Sequence, residues 1–459
     1  MRRGGGEEGW SSLSFEEYQK KVEEEEEEAK ESRERRGRLR VLRKCGEHED
    51  RELCLETPAW LVHTKKGGPL NLSPDLVQDL PLQPPAFQVS LSDFIQHTQA
   101  IANFRREGRG GLREFVGYPD GLIYLSVRDP EAFADEVCTK QYFTATTSAG
   151  KIKVSTSEFM DHVAALKPDF YAALSHEVSF LASEKQCTKC VDIGLAWLDY
   201  SLEQQKQREQ QAKFFSPPFS FLSVSLHKLL PISVISNVGR HCNLQIGGRP
   251  FGVIQGGGSM RQRKRSAQET AKRPVAGFVL GGFGLGESPS ERANTIKSLL
   301  EELPSSKPRL ISLEGSPVEV LECIELGMDL INTTYPDILA NTGYGLVFPL
   351  DVDSILAATQ QREKTGLNDI QDPMKINLRD QRYELMSRPV VDGCQCYTCR
   401  NHTVAYIHHL LLVNEMLAAT LLSIHNSHHY AMFFQAVRTS LDGSHFTTLL
   451  QRFRELSTP

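Results

Sequence analysis

Three thiols crowd into the segment Cys394-Gln-Cys396-Tyr-Thr-Cys399, and no other group in the chain announces its chemistry so plainly. Cysteine sulfur is a soft donor, and a structural zinc ion is closed by about four sulfur or imidazole ligands in a tetrahedron. Ten cysteines in 459 residues is an ordinary density, and no apolar secretory leader opens the chain. The expected compartment is therefore reducing, and the crowded thiols predict a metal site rather than disulfides. A fourth ligand must come from elsewhere: His402, His408, His409, His425, His428 and His429 all qualify by spacing. Cys187 and Cys190 form a lone Cys-x-x-Cys in a helix-like segment and read as ordinary helix cysteines.

A second group with chemical potential is the basic run Arg261, Arg263, Lys264, Arg265, Lys272 and Arg273. It reads equally well as a set of phosphate contacts and as a solvated helix face. The formal net charge of -6 and pI near 6.2 exclude a global basic footprint, so any RNA contact must be a local patch. The apolar stretch 214–238 is broken by Pro217, Pro218 and Pro231 and makes a poor membrane span.

These residues need a scaffold, and the chain supplies a repeating one. Short apolar runs end in small or polar residues: Phe251-Gly-Val-Ile-Gln-Gly-Gly, Gly277-Phe-Val-Leu-Gly-Gly, Arg309-Leu-Ile-Ser-Leu and Asp329-Leu-Ile-Asn-Thr-Thr. Helix-like segments at 260–272, 289–303 and 317–326 lie between them, which implies a parallel sheet buried on both faces. Eight such units need about 250 residues, and the span from 57 to about 360 accommodates them. The expected fold is α/β: a (β/α)8 TIM barrel over 39–375 with an appended C-terminal zinc-binding helical subdomain over 376–459. Residues 1–38, with six consecutive glutamates from Glu23 to Glu28, read as a charged, disordered tail. Residues 214–249 show no clean period and read as a protruding insertion. Residues 403–424 read as one helix, since Ile407, Leu410, Leu411, Leu417, Leu421 and Ile424 repeat at three- and four-residue steps.

The run from Cys394 through Asn401-His-Thr-Val-Ala-Tyr-Ile-His-His-Leu to Ile424-His-Asn resembles the zinc subdomain of the tRNA-guanine (queuine) transglycosylases. The resemblance implies one zinc ion held by Cys394, Cys396, Cys399 and His425. Gly252-Val-Ile-Gln-Gly-Gly257, Arg261 with Arg265-Ser-Ala267, Gly286-Glu287 and Lys307-Pro-Arg309 resemble the family's barrel segments, and Thr57-Pro58 its opening strand. The likeness is close over 250–430 and looser over 57–200.

In that family an aspartate attacks the ribose C1′ of a tRNA wobble guanosine, and the guanine is exchanged for a 7-deazaguanine base, queuine in eukaryotes, in tRNAs with GUN anticodons. Here Asn332 stands where the nucleophile belongs, Ser126 where a second acid belongs, and His176-Glu177 where the family has an Asp-Glu pair that binds the base. The resemblance therefore implies no working acid or nucleophile, and it is nearest the family's non-catalytic eukaryotic branch. That branch pairs with the catalytic subunit as a heterodimer, with a homodimer as the weaker expectation. It also implies a role in placing tRNA and a cytoplasmic location, with peripheral association at the mitochondrial outer membrane. The competing expectation is an active transglycosylase that uses a displaced carboxylate: Asp329, Asp337 or Glu177. Asp329 reads otherwise as polar packing on a strand, and Asp337 as a solvated turn or helix cap.

Overall fold

The computed structural model describes residues 38–45, 49–82, 84–130, 138–147, 149–214, 248–350, 372–443 and 445–457. Most of the expected tail and nearly all of the 214–249 stretch lie outside the described residues. An antiparallel ribbon of β1 (Arg38–Cys45) and β2 (Glu49–Glu56) comes first. Eight parallel strands then close on themselves in the order β3 (Ala59–His63), β4 (Ala86–Ser90), β5 (Leu122–Ser126), β8 (Phe170–Ala172), β9 (Arg249–Ile254), β10 (Gly277–Leu280), β11 (Arg309–Ser312) and β12 (Leu330–Thr333). The closed eight-stranded parallel barrel is the expected fold.

Period-two alternation decides what each strand offers to the inside. The inward series are Ala59, Leu61, His63; Ala86, Gln88, Ser90; Leu122, Tyr124, Ser126; and Leu330, Asn332. Each series starts apolar and turns polar at the carboxyl end, so the barrel has a greasy floor and a hydrogen-bonding top layer. The alternate residues, among them Trp60, Phe87, Ile123 and Ile331, face outward into the helical layer.

The helices are α1 (Pro74–Gln78), α2 (Thr98–Arg106), α3 (Leu112–Phe115), α4 (Thr156–Leu166), α5 (Glu184–Phe214), α6 (Met260–Ala271), α7 (Pro289–Leu300), α8 (Pro317–Glu325) and α9 (Tyr335–Thr342). A hairpin of β6 (Tyr142–Thr147) and β7 (Gly150–Ser155) intervenes before α4. Local signals set several starts: Ser155 and Ser288 form capping boxes with Glu158 and Glu291, and Pro317 opens α8. Val320, Leu321 and Ile324 bury one face of α8, roughly 1.5–3 kcal/mol each for side chains of this kind.

The C-terminal part adds the ribbon β13 (Tyr344–Leu346) with β14 (Lys375–Asn377), then α10 (Tyr397–Asn401), α11 (Val404–Leu412), α12 (Met416–Asp442) and α13 (Phe446–Ser457). The single helix expected over 403–424 is two helices. Asn414 adopts φ 55, and the amide of Glu415 turns back to the carbonyl of Leu410. Asparagine tolerates this left-handed backbone, so apolar spacing continued across a real break. No helix among the described residues is long and apolar enough to cross a membrane.

Candidate metal centre and barrel mouth

The Cys394, Cys396 and Cys399 sulfurs and a nitrogen of His425 all lie within 4.8 Å of one another. His425 Nδ1 is 3.3 Å from the Cys399 sulfur, 3.6 Å from Cys396 and 3.9 Å from Cys394. Ligands on one tetrahedral zinc would stand about 3.6 Å apart, given Zn–S near 2.3 Å and Zn–N near 2.0 Å. The donor set and its spacing therefore fit such an ion.

Local structure explains how four residues from two elements meet. Cys396 caps α10, its sulfur accepting the Cys399 amide at 3.3 Å, which folds the three thiols onto one side of a single turn. The Thr398 hydroxyl donates to the Leu421 carbonyl at 2.6 Å and fastens that turn to α12. His425 is fully buried and its Nε2 donates to the Leu346 carbonyl at 2.8 Å, leaving the bare Nδ1 aimed at the sulfurs. Fixing the tautomer through a backbone carbonyl is the usual way a ligand histidine is oriented. Asn426 clamps the same ribbon from the other side, accepting from the Leu346 amide at 2.9 Å and donating to the Tyr344 carbonyl at 3.0 Å. Hydrogen bonds from Cys396 and Cys399 hold Cys394 well below the ordinary thiol range.

The other histidines are otherwise engaged or distant. His408 bonds the Leu378 carbonyl and His429 the Phe348 carbonyl, while His402 stacks on Tyr406. His428 reaches one thiol, Cys394, at 4.0 Å. His409 is exposed.

At the carboxyl end of the barrel, Gln88 sits in the middle of the top layer. Its Oε1 pairs with His63 Nδ1 at 2.7 Å, and its Nε2 donates to Ser126 at 2.7 Å and Ser90 at 2.9 Å. Ser126 in turn donates to the Arg128 carbonyl at 2.5 Å. Two strands round the barrel from Gln88, Asn332 donates to the Ser312 hydroxyl at 3.1 Å and is 2% exposed. Its Oδ1 has no hydrogen-bond partner among the described residues. The two side chains where the resemblance expects acids, Ser126 and Asn332, are thus a neutral hydroxyl and a neutral amide.

A family model described as queuine tRNA-ribosyltransferase matches residues 30–220 and 239–458, well over half of the chain. The chain belongs to the queuine tRNA-ribosyltransferase family. Curated relatives named queuine tRNA-ribosyltransferase accessory subunit 2 are similar over nearly the whole length. The Homo sapiens protein is 34% identical over 429 residues, covering 89% of this chain and 93% of its own. The Gallus gallus protein is 33% identical over 433 residues, covering 88% and 91%. The Danio rerio protein is 33% identical over 428 residues, covering 89% and 92%.

The three displaced carboxylates, Asp329, Asp337 and Glu177, stand in separate places in the barrel. Asp329 precedes β12 at the amino end of the barrel and accepts the Arg309 amide at 2.8 Å, just as Asp169 before β8 accepts the Ile123 amide at 2.7 Å. Three residue steps separate Asp329 from Asn332, about 10 Å along the strand. Asp337 is not the solvated turn that the sequence suggests. It is 2% exposed in the first turn of α9, because that turn packs beneath the C-terminal helices. Glu177 lies 3.7 Å from Arg128, whose other nitrogen donates to the Ser175 carbonyl at 3.2 Å. Burial, then Arg128 and Lys189, hold the pKa of His176 below its ordinary value.

Sequence reasoning passed over His63, Gln88, Arg128 and Asp129, which build the mouth. Asp129 pairs with Lys65 and faces His63 Nε2 at 3.8 Å. Period-two alternation could have placed Gln88 beside Ser126, but no local signal marks the Arg128 bridge, which joins loops after different strands. The basic run also resolves differently from a phosphate face. Arg263 is fully buried and donates to the carbonyls of Gly257, Gly281 and Gly282 at 2.5, 3.0 and 2.8 Å. Lys264 faces Glu302, Arg265 pairs with Asp192, Lys272 with Glu269, and Arg273 with Asp199. Cys187 and Cys190 are buried free thiols in α5.

Proposed function

We propose that this chain is a non-catalytic subunit of a queuine tRNA-ribosyltransferase, supporting the exchange of wobble guanine for queuine by a catalytic partner. The observation that carries this reading is Asn332, a neutral amide at the end of β12 in a top layer of hydroxyls and amides. Exchange through a covalent intermediate needs a carboxylate that can attack C1′ and later leave, and an amide is a far weaker nucleophile. A serine hydroxyl cannot replace a carboxyl group that titrates near the working pH. The Arg128–Glu177 pair adds a second obstacle, because it engages the carboxylate that stands in the family's base-binding pair.

The same reading assigns one zinc ion to Cys394, Cys396, Cys399 and His425. Three thiolates and an imidazole suit zinc, and a closed four-ligand set supplies a cross-link rather than a reactive position. It would join α10 to α12 and, through Leu346, to the β13–β14 ribbon. Pairing with the catalytic subunit is supported by exposed apolar side chains beside this centre: Leu412, Val413, Met416 and Leu417 on the α11–α12 turn, with Tyr397 and Tyr406 nearby. Contiguous exposed apolar residues of this kind mark protein interfaces. We place the complex in the cytoplasm, with contact at the mitochondrial outer membrane peripheral.

The deciding experiment incubates labelled queuine or guanine and a substrate tRNA with this chain, the catalytic subunit, or both. Exchange is expected from the mixture and not from this chain alone. Asn332→Asp is expected to leave the isolated chain inactive, since Ser126 and His176 remain. Exchange by this chain alone, abolished by altering Asp329 or Asp337, would refute the accessory role.

A further inference from the structure

Apart from the thiol cluster and the mouth, positive charge is concentrated at the opposite end of the barrel. It is built from the end of α2, the loop 107–111, α3 and the cap of α4, which lead into β5 and β8 at the amino end. Arg105, Arg106, Arg109, Arg113 and Lys167 stand there against three acids, Glu107, Glu114 and Asp169, in a chain whose net charge is -6. The pieces touch. The Arg105 guanidinium crosses to the Ala164 carbonyl at 3.0 Å, and a Cβ on Gly111 would stand 3.8 Å from the Cβ of Lys167. All three acids are engaged: Asp169 by Arg113 at 3.0 Å, Glu114 by the Gly111 amide at 2.6 Å, and Glu107 by Arg109 at 3.8 Å. Arg106 bonds the neutral Asn103 side chain at 3.1 Å and, like Lys167, forms no ion pair among the described residues.

Burial, then Arg105 and Arg113, pull the Lys167 ammonium down to about 8, as happens to a cation set among cations. A second, independent feature of the same surface is aromatic. The Arg109 guanidinium lies 4.5 Å over the Phe104 ring, that ring meets Phe115 edge-on at 5.4 Å, and Phe115 is 43% exposed. Charge alone would suit any polyanion. An open ring among arginines suits one whose units carry flat π-faces.

We propose that this surface binds a single-stranded stretch of RNA, with phosphates on Arg106, Arg109 and Lys167 and one base stacked on Phe115. Four of the five cations are arginines, whose planar forks match phosphate oxygens in pairs. Acidic protein segments and anionic lipid headgroups answer the charge but offer no flat base to the ring. The surface lies at the end of the barrel away from Asn332, and its role depends neither on pairing nor on base exchange.

Fluorescence anisotropy of a short, labelled, unstructured RNA, titrated with the full chain over a range of salt, tests this. The triple variant Arg106→Gln, Arg109→Gln and Lys167→Asn should weaken binding tenfold or more and flatten the logarithmic salt slope by about 2, at about 0.7 per lost phosphate contact. Arg106 and Arg109 are exposed, and asparagine tolerates the left-handed backbone of Lys167 at φ 51, so the melting temperature should hold. Phe115→Leu should weaken binding about fivefold with the slope unchanged. Lys151→Gln with Lys153→Gln, which removes charge from the β6–β7 hairpin, should leave the affinity as it was. Unchanged affinity in the triple variant or in Phe115→Leu, an unchanged slope in the triple variant, or an equal loss in the hairpin variant overturns the proposal. So does equally tight binding of polyglutamate or of phosphatidylserine vesicles, which would assign the surface to an acidic protein or a membrane. None of these results bears on the accessory role, whose test is the exchange assay.

Discussion

Asn332 and His425 are each defined by one atom. The Oδ1 of Asn332 has no hydrogen-bond partner among the described residues, and the Nδ1 of His425 is the imidazole nitrogen left free by the Leu346 carbonyl. We expect one zinc per chain by elemental analysis, lost on His425→Ala and retained on His428→Ala, because His428 reaches only one sulfur. Chelation should loosen the same region, since zinc in a closed site is coupled to folding. Retention of the metal by His425→Ala would move the fourth ligand elsewhere. Asp329 gives a pH signature: burial raises its carboxyl to about 6 from an ordinary 3.8, against the smaller opposing effects of the Arg309 amide and guanidinium. A raised acid favours the fold while protonated, so its contribution is present at about pH 4, falls as pH rises through 6, and is flat above. Asp329→Asn should therefore raise the unfolding free energy measured in urea at pH 8, by up to about 2–3 kcal/mol, with little change near pH 4. Equal effects at both pH values would show that the carboxyl is not perturbed.

Among the elements, α6 shows how a charge can be structural. Arg263 leaves the helix inward, its guanidinium 4.5 Å over Phe283 and bonded to carbonyls of the loops after β9 and β10. Glycine is required at both loops: Gly257 and Gly282 have φ 55 and 69, a region that other residues adopt at a penalty. Arg263→Met should cost about 3 kcal/mol or more, because it strands several buried carbonyls. Urea unfolding measures this, and a loss under about 1 kcal/mol would mean that water replaces the guanidinium. Arg261→Ala, on the exposed face of the same helix, is the matched control.

For the molecule as a whole, the C-terminal helices are part of the barrel's support. Arg438 of α12 donates to the Pro58 carbonyl at 3.0 Å, and the Tyr430 hydroxyl donates to the Gly315 carbonyl at 2.8 Å. The thiol cluster therefore hangs on a helix whose far half braces the barrel, while its near half presents Met416 and Leu417 to solvent. The double change Leu412→Asp with Met416→Asp should weaken association with the catalytic subunit tenfold or more and leave metal content unchanged. Light scattering and elemental analysis together check this, and undiminished association would place the interface elsewhere.

Sequence alone was enough for whatever depends on local order. The thiol spacing and the strand-helix period are properties of neighbouring residues, and the barrel follows from repeating the latter. Periodicity could not reveal the break at Asn414, since apolar steps continue across it, nor that Asp337 is buried beneath later helices. Spacing left six histidines open and only the resemblance singled out His425, whereas the inward turn of Arg263 and the Arg128–Glu177 bridge were decided by tertiary structure alone. Each depends on which atoms the closed barrel brings within about 4 Å across tens to hundreds of residues of chain, and hydrogen bonds and ion pairs act only at that range.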